Sequence, residues 1–112
     1  MSSVRIALAQ INSTVGDLEG NARRIAEFAA RAHAAGAHLM VTPELALCGY
    51  PPEDLLLRDD FYRACERELA SLARQVPLPI IVGHPAQEDG KRFNAASFLV
   101  DGAVQIARTT GG

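Results

Sequence analysis

The sequence predicts an α/β domain, because short apolar runs alternate with two longer segments in which apolar residues recur every three or four positions. A further observation is the dipeptide Asp101-Gly102 between two apolar runs, a strong signal for a two-residue β-hairpin turn. These patterns together predict the element order β-α-β-α-β-β-β.

The first strand is predicted over residues 4–10, because apolar side chains alternate there with smaller or charged ones. Asp17 can cap a following helix over residues 18–35. Gly36 fits the end of that helix, where a left-handed residue is favoured. The apolar stripe of this helix consists of Ile25, Phe28, Ala29 and Ala32.

The second strand is predicted over residues 38–42, which form a short apolar run. A long irregular loop is predicted over residues 44–58. A second helix is then predicted over residues 61–76, capped by Asp60 and ended by two prolines. Its apolar stripe consists of Phe61, Cys65, Leu69, Leu72 and Val76.

The last three strands follow in quick succession. Residues 79–83 form a continuous apolar run, which is typical of a strand covered on both faces. A polar turn over residues 88–92 contains Lys91, the only lysine of the chain. Two further strands are predicted over residues 93–100 and 103–108, joined by the hairpin turn.

Length and composition are typical of one soluble domain, with 112 residues, a formal net charge of −2 and 48% hydrophobic residues. The near-neutral charge predicts neither a nucleic-acid partner nor an anionic membrane surface as a partner. No apolar stretch approaches the length of a membrane span, and the start lacks the apolar run of a signal peptide. Two cysteines suggest a reducing compartment, so the cytoplasm is the expected location.

The most informative segment, residues 42–58, directly follows the second predicted strand. Glu44 is placed near the C-terminal end of that strand, where α/β folds gather functional side chains. A carboxylate there can act as a general base, so Glu44 is the candidate catalytic residue. The alternative is a surface glutamate that caps a turn. Tyr50, in the same loop, is a candidate for lining a substrate pocket, with a packed loop aromatic as the alternative.

No other cluster in the sequence predicts a metal or phosphate site. The histidines His33, His38 and His84 lack carboxylate or cysteine partners at metal-ligand spacing. The glycine patterns of dinucleotide-binding and phosphate-binding loops are absent from the sequence. Cys48 is an alternative nucleophile four residues after the candidate base, but burial is the expected state of such a cysteine. Lys91 is expected to be a solvated hairpin charge.

Several segments resemble the carbon–nitrogen hydrolase (nitrilase) superfamily. Pro-Glu-Leu at residues 43–45 resembles the glutamate element of the superfamily. The run Glu-Asp-Leu-Leu-Leu-Arg at residues 53–58 is similar to the amino-terminal glutaminase domain of the glutamine-dependent NAD synthetases. Residues 6–12, together with Phe-Asn-Ala-Ala at residues 93–96, match the same family. The resemblance extends from about residue 4 to residue 108.

The resemblance implies a Glu–Lys–Cys triad that hydrolyses the side-chain amide of glutamine, with Glu44 as the general base. The sequence has no counterpart of the triad lysine or of the nucleophilic cysteine. The implied fold is the first half of a nitrilase-like four-layer α-β-β-α sandwich, so residues 1–112 would be a partial glutaminase domain, truncated at its C-terminal side. The chain itself would carry no cofactor.

For the complete enzymes, the resemblance implies a separate C-terminal synthetase domain and a homo-oligomer. That domain would use ATP and Mg²⁺ to amidate deamido-NAD with the ammonia released from glutamine. Two alternatives stay open: another amidase, nitrilase or carbamoylase of the superfamily, or a non-catalytic truncated remnant. We expect the isolated 112 residues to be inactive and prone to aggregate, because a sheet that lacks strands exposes apolar surface.

Overall fold

A computed structural model describes residues 3–108 of the chain, so both ends of the predicted 1–112 domain lie outside the described residues. These residues form five strands and three helices. In chain order the elements are β1 (Ile6–Leu8), α1 (Leu18–Ala34), β2 (Leu39–Val41), α2 (Glu53–Leu56), α3 (Asp59–Gln75), β3 (Ile80–Glu88), β4 (Lys91–Val100) and β5 (Ala103–Arg108).

The strands form one sheet in the order β1-β2-β3-β4-β5. The first three strands are parallel, and helical crossovers join them, as parallel pairing requires. The last three are antiparallel, joined by the turns Asp89-Gly90 and Asp101-Gly102. Both residues of each turn have positive φ, which is the conformation of type I′ hairpins. The predicted α/β order and the predicted second hairpin are therefore confirmed.

Helices α1 and α3 pack against one face of the sheet and form the core with it. As predicted, Asp17 caps α1, because its Oδ1 accepts a hydrogen bond of 3.0 Å from the backbone N–H of Gly20. Burial of one large apolar side chain is worth about 1.5–3 kcal/mol, so this layer supplies most of the stability of the described residues. Its fully buried side chains include Ile25, Met40, Leu69, Leu72, Ile80 and Leu99.

The opposite face of the sheet, here called the open face, carries Ile6, Leu8, Val41 and Ile81. Leu8 pairs with Val41 and Val41 pairs with Ile81, so these side chains share one side. At the edge of this face the described residues leave Ile6 55% exposed and Leu8 76% exposed. An uncovered apolar face is what the first half of a four-layer sandwich requires, because the second sheet would pack there.

Several sequence-based predictions are wrong in detail. Residues 44–58 are not wholly irregular, because they contain the four-residue helix α2, which is too short to leave a periodic signature. Asp60 does not cap α3. Arg58 takes the cap position, and Asp60 lies in the first turn with its carboxylate 3.1 Å from the Arg58 guanidinium.

Two strands also differ in length from the prediction. β1 is shorter than predicted. β3 extends to Glu88 instead of ending at residue 83, because pairing with β4 satisfies its polar end.

Candidate functional site

Glu44 lies just beyond the C-terminal end of β2, in a short segment that crosses onto β3. Thr42 anchors the start of this segment, because its backbone N–H and its hydroxyl both donate to the carbonyl of Ile81 at 3.0 Å. The same hydroxyl accepts a hydrogen bond of 3.3 Å from the backbone N–H of Gly83. The path of the chain into Glu44 is therefore fixed by two groups of β3.

Gly83 allows the Glu44 segment to lie directly on β3. A Cβ atom at this position would stand 2.7 Å from the carbonyl oxygen of Pro43 and 2.9 Å from the Cα of Glu44. Both contacts are shorter than real Cβ atoms show, and both involve backbone, which cannot swing away. The carbonyl of Gly83 also accepts a hydrogen bond of 3.2 Å from the N–H of Leu47. A glycine is thus required for this close approach of two backbones.

The carboxylate of Glu44 accepts a hydrogen bond from a residue of β4, the strand next to β3 in the sheet. Asn94 of β4 donates from its side-chain Nδ2 to Glu44 Oε1 over 3.2 Å. Asn94 pairs with Pro85, which lies two residues beyond Gly83, so Asn94 and the Glu44 segment share the open face of the sheet. In the sequence, Asn94 stands out only as part of the Phe-Asn-Ala-Ala match to the family, and no local pattern predicts its contact with Glu44.

A second loop, residues 10–17, is fastened to the Glu44 segment by Asn21 of α1. Asn21 is fully buried, and its Nδ2 donates to the carbonyls of Thr14 at 2.7 Å and Leu47 at 3.0 Å. Its Oδ1 accepts a hydrogen bond of 2.8 Å from the N–H of Thr14. One side chain therefore holds the loops after β1 and β2 together. Sequence analysis missed this role, although a polar residue on an otherwise apolar helix face was a signal that could have found it.

The two loops border a solvent-open cavity of about 310 Å³ that is lined by Glu44 and Tyr50. Tyr50 is 76% exposed, so it lies at the rim of this cavity in the described residues. The structure thus brings both predicted site residues together, while their roles stay predictions. The residues that line the cavity are Ile11, Asn12, Ser13, Val15, Pro43, Glu44, Leu45, Ala46, Gly49 and Tyr50.

The thiol of Cys48 lies close in sequence to Glu44 but is not placed to act as a nucleophile. Its side chain is fully buried, and burial raises the pKa of the Cys48 thiol to about 12. Burial likewise raises the pKa of Cys65, on the buried side of α3, to about 12. Both groups are therefore neutral thiols near pH 7, whereas a nucleophilic cysteine acts as the thiolate.

The three histidines and Lys91 do not line the cavity that Glu44 borders. His84 is buried on the helix-covered face, where its Nε2 forms a hydrogen bond of 2.7 Å with Ser97 Oγ, and burial lowers its pKa. His38 accepts a hydrogen bond from the N–H of Arg5, and His33 lies on α1. Lys91 is exposed on the opposite side of β4 from Asn94. Within residues 3–108, no three His, Cys, Asp or Glu side chains are grouped to hold a metal ion.

The same residues contain no helix that is both long enough and apolar enough to cross a membrane.

Comparisons with known proteins all lead to one family. The profile of the carbon-nitrogen hydrolase family matches residues 5–108. The glutamine-dependent NAD(+) synthetase of Synechocystis is 44% identical over 109 residues, which cover 89% of this chain and 20% of that protein. The glutamine-dependent NAD(+) synthetase of Thermotoga maritima is 39% identical over 107 residues, covering 93% of this chain and 18% of that protein. The chain thus spans about a fifth of the length of these curated relatives.

Comparison with solved structures leads to the same family. The glutamine-dependent NAD⁺ synthetase of Acinetobacter baumannii, in complex with ADP, superposes with a TM-score of 0.85 at 34% identity, covering 93% of this chain and 20% of that one. An amidase of the nitrilase superfamily from Nesterenkonia superposes with a TM-score of 0.80 at 28% identity, covering 95% of this chain and 42% of that one. Both neighbours carry the α/β architecture that the sequence predicted.

Proposed function

The chain belongs to the carbon–nitrogen hydrolase family, and we propose that it forms the amino-terminal part of the glutamine-hydrolysing domain of a glutamine-dependent NAD synthetase. The observation that carries the proposal is Glu44, placed at a strand end on the open face and hydrogen-bonded by Asn94. The relatives named above support the choice of glutamine. Residues 1–112 would then be a partial domain within a longer polypeptide.

In this proposal Glu44 moves protons during amide hydrolysis. Its carboxylate takes the proton from a cysteine thiol, the thiolate attacks the side-chain carbonyl carbon of glutamine, and an oxyanion develops. The C–N bond then breaks as Glu44 returns the proton to the leaving nitrogen, which departs as ammonia. Water, deprotonated by Glu44, hydrolyses the resulting thioester to glutamate and the free thiol. The cysteine, and a lysine that stabilises the oxyanion, would come from the polypeptide beyond this chain.

Several features of the described residues favour this role over that of a turn-capping glutamate. Gly83 allows the backbone of Glu44 to lie against β3, and Asn21 ties the neighbouring loop to the Glu44 segment. Rigid strand ends that carry adaptable loops are where α/β folds place reacting groups. We propose that Tyr50, at the rim of the cavity, contacts the glutamine substrate.

The rest of the proposed reaction lies outside this chain. The ammonia would amidate deamido-NAD at a separate C-terminal synthetase domain, and ATP and Mg²⁺ are assigned to that domain. The length of the curated relatives supports such a domain, because this chain covers about a fifth of them. A homo-oligomeric assembly and a cytoplasmic location complete the proposal.

A second candidate is another amidase of the nitrilase superfamily. The observation that favours it is the Nesterenkonia amidase, 42% of which this chain covers at a TM-score of 0.80. The NAD synthetase assignment is preferred because the curated relatives reach 44% identity. Reading the coding sequence past residue 112 separates the two: a nucleotide-binding synthetase domain downstream supports the first, and its absence from an otherwise complete hydrolase supports the second.

The decisive test is Glu44→Gln in the complete polypeptide that carries this segment. We expect glutamine-driven NAD synthesis to be lost, while synthesis from added ammonium continues at the rate of the original enzyme. The amide is nearly the same size as the carboxylate but cannot take up a proton at neutral pH. Retained glutamine-driven turnover would overturn the assignment. Purified residues 1–112 are expected to show no glutaminase activity, because the nucleophile is not among them.

A further inference from the structure

We propose that Asn94 is a positioning residue for Glu44, holding one carboxylate oxygen so that the other is aimed at the nucleophile. This inference rests on the proposed role of Glu44 as the general base. Its basis is the 3.2 Å hydrogen bond from Asn94 Nδ2 to Glu44 Oε1, which joins residues 50 positions apart in the sequence. Proton transfer would then use Oε2.

The register and spacing of the strands explain how the side chains of Asn94 and Glu44 come within hydrogen-bond distance. Asn94 pairs with Pro85, and Gly83, over which the Glu44 backbone lies, is two residues earlier on β3. Neighbouring strands are separated by about 4.8 Å, and side chains two residues apart share a face. A short amide on β4 therefore reaches a carboxylate carried over β3. The direct neighbour of Gly83 on β4 is Ala96, whose small side chain leaves room for the carboxylate.

The strand that carries Asn94 is fixed from the other side of the sheet. The next residue, Ala95, is buried with 3% of its surface exposed. A buried hydrogen bond of 2.7 Å between His84 Nε2 and Ser97 Oγ links β3 to β4 on that side. β3, over which the Glu44 segment lies, and β4, which carries Asn94, are therefore fastened together. Asn94 is itself mounted on a strand, and groups on strands keep their geometry more closely than groups on loops.

The chemistry of an amide suits this task. The Asn94 side chain donates from Nδ2 without carrying a charge, so it orients the carboxylate and adds no fixed cation beside it. Leucine at this position would remove the donor at similar size. Aspartate would replace the donor with a second anionic acceptor, which would repel Glu44.

The test measures glutamine hydrolysis by the complete enzyme with Asn94→Leu and Asn94→Asp. We expect kcat to fall about 10- to 100-fold, because small misplacements of a reacting group cost factors of this order. KM for glutamine should change less than about twofold, since the lost interaction acts on the reacting carboxylate. Gln87→Leu is the matched control: Gln87 Nε2 donates to Asp59 Oδ1 at 2.9 Å, an amide-to-carboxylate bond of the same type that involves neither Glu44 nor Asn94. It should leave both constants unchanged.

A double-mutant cycle separates positioning from a merely structural role. Glu44→Asp shortens the side chain by one methylene and withdraws the carboxylate from Asn94. In that background Asn94→Leu should lower kcat by less than about twofold, because the contact is already lost. Equal losses in both backgrounds, or an unchanged kcat in the single variant, would overturn the Asn94 inference. If Glu44→Gln leaves hydrolysis intact, the proposed function itself fails, whatever Asn94→Leu does.

Discussion

Substitution of Gly83 by alanine tests whether the close approach of two backbones sets the position of Glu44. The added Cβ would stand 2.7 Å from the Pro43 carbonyl oxygen, 2.8 Å from the Leu45 nitrogen and 2.9 Å from the Glu44 Cα. Ordinary Cβ contacts begin near 3.4 Å, so the segment must rise from β3 by about 0.7 Å. No flexible side-chain end is available to absorb the change.

The displacement should have two measurable effects. Overpacking of this kind typically costs about 1–3 kcal/mol of folding free energy. A shift approaching 1 Å at a reacting group costs on the order of 10²-fold in rate. We therefore expect glutamine-driven synthesis by the complete Gly83→Ala enzyme to fall about 10- to 100-fold. Synthesis from added ammonium, which bypasses Glu44, should be unaffected, and the ratio of the two rates is the assay.

Gly102→Ala provides the control. Gly102 has a φ of +76°, and no heavy atom stands within 4 Å of the position that an added Cβ would occupy, so alanine there strains the turn without touching the site. Its cost is about 1–2 kcal/mol, comparable to that at Gly83. If both variants lower the two rates alike, destabilisation explains the loss. A Gly83→Ala enzyme that keeps its glutamine-driven rate within about twofold would refute the reasoning.

Three further predictions concern stability and solubility. Asn21→Leu removes three hydrogen bonds to backbone groups, and we expect it to lower the free energy of unfolding by about 3 kcal/mol or more in denaturant titrations. Burial lowers the pKa of His84, so as pH falls below about 6.5 the unfolded chain takes up a proton at this histidine before the folded chain does. The free energy of unfolding should therefore decline below that pH, and His84→Gln should flatten the decline. Ile6→Lys with Leu8→Lys should keep isolated residues 1–112 monodisperse in light scattering, whereas we expect the original chain to aggregate.

Each of these predictions has an outcome that would contradict it. An Asn21→Leu protein as stable as the original would show that its hydrogen bonds do not fasten the two loops. An unchanged pH dependence in His84→Gln would place the acid sensitivity elsewhere. A monodisperse, cooperatively unfolding original chain would show that the open face needs no cover.

The order of the strands and the two long helices followed from local patterns in the sequence, and the structure confirms it apart from the additional short helix α2. Apolar spacing distinguishes helix from strand because it reflects how often a side chain returns to the core. The hairpin at Asp101-Gly102 was equally predictable, since only a few residue pairs adopt two positive φ angles. The errors fell where local signals are weak or misleading. Asp60 has the chemistry of a cap, but α3 begins one residue earlier, at Asp59, so Asp60 lies in the first turn, where it pairs with Arg58.

The position of Glu44 at a strand end was also predictable, because it depends on residues that adjoin it. Local sequence patterns were therefore enough to establish the α/β order, the site segment and the likeness to one family. The partners of Glu44, which are Gly83 and Asn94, and the joining of two loops by Asn21 became visible only in the tertiary structure, whereas the burial of Cys48 was predicted and is confirmed. The contacts made by Asn21 and Asn94 reach residues 26 and 50 positions away, and their strength comes from strand register and burial, which no local pattern encodes.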